Sequence, residues 1–106
     1  MKFQNNFNRI VEPATSVVNE KVIIPLVYTL ENNMYHGFVP GFQFQDVVSK
    51  TLEECQKNLL LYVKEEVYKR IQEKLPFPFF PNIEQIKEDF DDVVKCELKE
   101  FDVPNL

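Results

Sequence analysis

The residues Thr51 to Lys74 constrain this chain more than any other stretch. Thr51-Leu52-Glu53-Glu54 has the form of a capping box. The Thr51 hydroxyl can accept from the Glu54 N–H, and the Glu54 carboxylate can reach back to the Thr51 N–H. Apolar residues then recur at helical spacing: Leu52, Cys55, Leu59, Tyr62, Val63, Val67 and Ile71. Leu60 and Leu61 widen that stripe. Pro76 disfavours helical geometry in Leu75, so the helix is expected to end near Lys74. Lys69, Arg70 and Lys74 near that end suit the helix dipole.

Upstream of the helix the pattern changes from a period near four to a period of two. Val22 to Glu31 is rich in β-branched and apolar residues and reads as a strand. Pro25 cannot donate to a ladder, so pairing is expected to start there. Leu26, Tyr28 and Leu30 then share one face, and Val27 and Thr29 the other. Asn32-Asn33 suits a tight hairpin turn, because Asn tolerates positive φ. Met34 to Val39 is the returning strand. Pro40-Gly41 has the chemistry of a type II turn, with φ preset by Pro and a positive φ accepted by Gly. Phe42 to Val48 alternates and is expected to be a third antiparallel strand, with Phe42, Phe44, Asp46 and Val48 on one face and Gln43, Gln45 and Val47 on the other.

Downstream, Leu75 to Pro81 is a crossover with three prolines and three phenylalanines. Asn82 can cap a short helix from Ile83 to about Phe90, with Gln85 at the reciprocal position. Asp92 to Phe101 is expected to be the last strand, burying Val94, Cys96 and Leu98 and wetting Lys95, Glu97 and Lys99. No role is evident for the tail Asp102 to Leu106.

These elements predict an α+β fold of order β-β-β-α-β, with a short extra helix before the last strand. A three-stranded antiparallel meander is followed by a long helix covering one face. A right-handed crossover allows the last strand to lie parallel beside the first, giving sheet order 3-2-1-4. Residues 1–20, polar and Asn-rich with scattered Phe3, Phe7, Ile10 and Val11, are expected to be a partly ordered arm. Residues 21–106 are expected to form the single domain that 106 residues allow.

Composition narrows the functions. A formal net charge of −5 with no basic run disfavours binding to a phosphate backbone and favours a basic protein partner. Cys55 and Cys96 are the only cysteines and have no CxxC spacing, so reduced thiols and a cytoplasmic protein are expected. The N-terminus MKFQNNFNRI has no apolar run of signal-peptide length.

No catalytic constellation is evident. His36 is the only histidine and has no ligand pattern around it, so no metal site is expected. Glu88, Asp89, Asp91 and Asp92 lack the alternating ligands and glycine turn of a calcium loop and read as a solvated helix end. Ser16 and Ser49 have no histidine near them in sequence. With only Gly37 and Gly41, no glycine-rich phosphate cradle can form, and no cofactor is implied. The strand order also looks like a cut-down ribonuclease H fold, whose nucleases hold two metal ions on strand carboxylates. Here the first strand carries no acid inside it, and the last carries only Glu97 at mid-strand. Tyr62, Tyr68, Phe77, Phe79 and Phe80 either pack the crossover on the helix or form an exposed patch for a partner.

Pro40-Gly41, Thr51-Leu52-Glu53-Glu54 and Asn58 to Glu65 together resemble the core of the HicB antitoxin family, over about Ile23 to Leu98. The stretch from Gly41 to Thr51 is about three residues longer than that family's, and Ser49-Lys50 stands where Gly-Asp is common. The resemblance implies a non-catalytic, single-domain relative that neutralises a small basic ribonuclease toxin by direct binding. It names no partner-binding residue in this chain. The DNA-binding domain usual in full HicB antitoxins is not evident here. Sheet-edge association makes a homodimer plausible. Two alternatives stand beside this: an orphan structural or regulatory homo-oligomer, and a degenerate ribonuclease H-like nuclease.

Overall fold

The computed structural model describes residues 18–105, a four-stranded sheet with two helices. The strands are β1 (Val18–Glu31), β2 (Met34–Phe38), β3 (Val47–Ser49) and β4 (Val93–Asn105). The helices are α1 (Leu52–Glu73) and α2 (Ile83–Asp89), both between β3 and β4. Sheet order is β3-β2-β1-β4, as expected. Of the expected arm, residues 1–17 lie outside the described residues, and Val18–Glu20 belong to β1.

The turn chemistry holds. Asn32 and Asn33 both take positive φ, 51° and 63°, so a two-residue turn of the primed kind joins β1 to β2. Gly41 takes φ 107°, and the Phe42 N–H donates to the Val39 carbonyl at 3.1 Å, closing a type II turn. The Thr51 hydroxyl accepts from the Glu54 N–H at 3.1 Å. Asn82 and Gln85 form both halves of a capping box, whereas at Thr51 the reciprocal bond expected from the Glu54 carboxylate is not made. At the other end of α1, Lys74 adopts a left-handed conformation (φ 56°, ψ 40°), and the Leu75 N–H donates to the Arg70 carbonyl. That is a helix stop usually given to glycine.

The direction of the last strand is corrected. β4 runs antiparallel to β1, with Val27 opposite Cys96 and Val22 opposite Phe101. Strand alternation shows why. Ile24, Leu26 and Tyr28 join Cys55, Leu59, Val63 and Val67 in one buried cluster, so α1 covers that face. Ile23 and Pro25, on the other face, line a hollow with Ile83 and Leu98, so α2 lies there. The Pro-rich crossover therefore carries the chain from one face of the sheet to the other. α2 then adds a return leg along the sheet, and β4 starts at the end where a parallel strand would finish. The Leu30 N–H donating to the Asp92 carbonyl marks that start.

Three boundaries also differ. β1 pairs with β4 from Val18 rather than from Pro25. Pro25 is tolerated because β2 reaches β1 only from Val27 onward, so no β1–β2 bond is lost there. The expected strand 42–48 shrinks to Val47–Ser49, in which Val47 and Ser49 are buried and Val48 is 48% exposed. Phe42 instead turns inward, where its ring meets Phe80 at 5.5 Å and the Arg70 guanidinium at 5.1 Å. Finally, Asp102 to Asn105, given no role from sequence, extend β4. The expected burial of Val94 and Leu98 fails, because β4 is an edge strand and α2 is too short to roof it; they are 47% and 52% exposed.

Candidate functional site

Two places gather side chains that could act on another molecule. The first is an open groove of about 770 Å³ between the 44–48 segment and α1. Phe44 stacks on Tyr62 with ring centroids 5.8 Å apart and planes at 27°, forming one wall. Leu61, Val47 and Val48 complete the apolar lining. Tyr62 and Leu61 sit on the helical stripe read from sequence, yet they are 52% and 55% exposed. The reason is geometric. The sheet under α1 ends at the three-residue β3, so the flank of α1 beyond that edge has nothing beneath it. Asp46 and Glu65 lie at the rim and make the groove acidic.

The second place is a polar cluster on β1 and β4 beneath the first turns of α1. The fully buried Tyr28 donates its hydroxyl to Glu97 Oε1 at 3.1 Å. Gln56 donates to Glu97 Oε2 at 2.8 Å, and Lys95 stands 3.7 Å from the same oxygen. Burial, reinforced by the Glu97 carboxylate, pushes the Tyr28 phenol well above its usual range, so it stays a donor at neutral pH. Every group in the cluster has its partner, which is the signature of a structural network.

The other singled-out residues are placed as follows. His36, half-buried, lies 3.9 Å from Glu31 and 3.7 Å from Asp46. Among the described residues, no group of three or more His, Cys, Asp or Glu side chains is disposed to hold a metal ion. Cys55 and Cys96 are both free. Burial pushes the Cys55 thiol up, and it hydrogen-bonds to the Tyr35 and Val47 carbonyls, which suits a packing role. Ser49 is 5% exposed, and Ser16 lies outside the described residues. Glu88, Asp89, Asp91 and Asp92 are all exposed, with Asp92 in a positive-φ turn.

The aromatic group splits. Phe77 and Phe80 pack against the core, while Phe79 is 94% exposed and Tyr68 63%. No described helix is long and apolar enough to cross a membrane. The sequence offers Tyr62 for an exposed patch but does not reveal the groove, because the alternation around Phe44 reads as a strand and nothing local pairs Phe44 with Tyr62. A visible signal was the width of the apolar stripe: Leu59 to Val63 is a five-residue run, more than one sheet face can cover. No family model matches the chain, and no curated protein or solved structure is detectably similar to it.

Proposed function

We propose that this chain is a non-catalytic protein-binding domain of antitoxin type, taking a small basic protein partner in the groove between the 44–48 segment and α1. The observation that carries this reading is the exposed apolar floor at Leu61, Tyr62 and Val48 beneath an acidic rim at Asp46 and Glu65. Interface cores are enriched in aromatic residues and poor in charge, with charge at the edge to steer encounter. The groove has that arrangement. The overall negative charge points the same way, and the resemblance to HicB-like domains supports it over Pro40 to Glu65 but not in the direction of β4. A nuclease of ribonuclease H type is not supported. Strand order agrees with that fold but the direction of β4 does not, and Glu97 is engaged by Tyr28 and Gln56.

The test is affinity capture from native cells with the tagged protein and with Leu61→Asp. A small basic partner, toxic when expressed alone, should copurify with the former and be lost with the latter while the circular dichroism spectrum is unchanged. Capture that survives Leu61→Asp, or turnover of a small substrate with no partner, would sink the proposal.

A further inference from the structure

We infer that the outer edge of β4 is a two-fold interface on which two copies of this chain pair antiparallel about Cys96, joining two four-stranded sheets into one of eight. The inference is independent of the groove, which lies by the opposite edge of the sheet.

β4 is an edge strand of 13 residues, whereas β3 at the other edge has three. Among the described residues nothing pairs with the outer side of β4. A long edge is a row of unpaired N–H and C=O groups, a template for another strand unless charge blocks it. From Val94 to Leu98 the charge is confined to one face; beyond that, Glu100 and Asp102 bring charge to the other, where both pair with Lys21 of β1. Lys95, Glu97 and Lys99 alternate on the α1 side, while the α2 side presents Val94 and Leu98, each about half exposed.

Register decides whether a second copy fits. In a two-fold antiparallel pair with its axis normal to the sheet, opposed residues share a face and their numbers have a constant even sum. Centring on Glu97 sets that carboxylate against its own copy and Lys95 against Lys99. Centring on Lys99 sets it against itself and Leu98 against Glu100. Centring on Leu98 matches Glu97 with Lys99 but sets Val94 against Asp102 and Cys96 against Glu100. Centring on Cys96 satisfies both faces over residues 94–98: Lys95 meets Glu97 twice on one side, and Val94 meets Leu98 twice on the other; the bulge in β4 beside Val94 ends the regular ladder before Val93 would oppose Lys99.

The monomer is ready for that register. Tyr28 and Gln56 hold the Glu97 carboxylate in place before a partner arrives. Leu98 lines a shallow apolar hollow with Ile23 and Ile83, which Val94 of the second copy would help to close.

Light scattering on the full chain should give a mass about twice 12.6 kDa. Directly opposed residues in antiparallel strands have Cα atoms about 4.5–5.5 Å apart, within the span of a disulfide. Diamide, accepting two electrons and two protons from the two Cys96 thiols, should therefore link the copies. That link should persist in Cys55→Ser and vanish in Cys96→Ser, whose mass stays doubled. Leu98→Lys, at an exposed position that leaves the fold intact, should raise the dissociation constant by about tenfold or more. A single-chain mass for the unaltered protein overturns the proposal. So does a doubled mass with no Cys96 link and no response to Leu98→Lys.

Discussion

The central strand β1 is apolar on both faces, yet the two faces have very different covers. On one, Ile24, Leu26 and Tyr28 lie under a 22-residue helix and are sealed from solvent. On the other, Pro25 and Val27 are sealed but Ile23 stays 52% exposed, because the cover is a seven-residue helix and a proline-rich crossover. Ile86 is fully buried there, and Phe38 and Phe90 meet edge-to-face at 5.0 Å. One face behaves as a core and the other as a patch. A helix of two turns can shield two or three side chains, whereas six turns shield a whole stripe.

This comparison breaks most directly by truncating one anchor on each face. Leu59→Ala on α1 is expected to cost about 3–5 kcal/mol in urea unfolding, since the surrounding core is closed and cannot collapse. Ile86→Ala on α2 is expected to cost less, about 2–3 kcal/mol, because its half-open neighbours can settle into the gap. Equal losses would mean that the thin cover carries as much of the fold as the thick one.

The tightness of the α1 side has its own test. A Cβ on Gly37 would lie 3.0 Å from Cys55 Sγ and 3.2 Å from Leu59 Cδ2. Gly37→Ala should therefore destabilise by about 1–3 kcal/mol, and Cys55→Ala should recover part of that loss in a double-mutant cycle. If the losses simply add, α1 does not press on β2 as described.

Arg70 sharpens the boundary between the faces. It pairs with Glu66 at 2.8 Å, lies over the Phe42 ring and donates to the Pro76 carbonyl. It thus ties the helix end, the 39–46 turn and the start of the crossover. Arg70→Ala should cost about 2 kcal/mol, more than an exposed ion pair is worth, read from the unfolding midpoint.

Tyr28 gives a pH test of the same core. Its folded pKa is raised by burial and by Glu97, so its contribution is complete below the ordinary tyrosine value and is lost as pH rises beyond it. Thermal unfolding should show the unaltered protein losing stability above about pH 10 more steeply than Tyr28→Phe. Parallel curves would remove the phenol from the account. The smallest effect is expected at Lys74, where relief of a left-handed non-glycine residue by Lys74→Gly should add about 0.5–1 kcal/mol.

Much of this architecture is legible in short-range chemistry. Asn32-Asn33, Pro40-Gly41, Thr51 and the Asn82–Gln85 box each act within four residues, and each forms where the sequence places it. The candidate groove is not legible in that way. It depends on how far the sheet extends under α1, which is set by Phe42 turning inward to meet Phe80 and Arg70. Those contacts span tens of residues, and no local pattern specifies them. The same holds for Glu97. Its alternation is visible, but its capture by Tyr28 and Gln56 needs β1, β4 and α1 in place together.

By itself the sequence determined the number and type of elements, the turns, the helix start signals and the strand order. These follow from backbone preferences and from the two hydrophobic periods, which are properties of neighbouring residues. Only the tertiary structure decided the direction of β4 and which apolar residues stay wet. Both depend on the crossover passing from one face of the sheet to the other, so that α2 can bury Ile86, and that is a choice between packings rather than between local conformations.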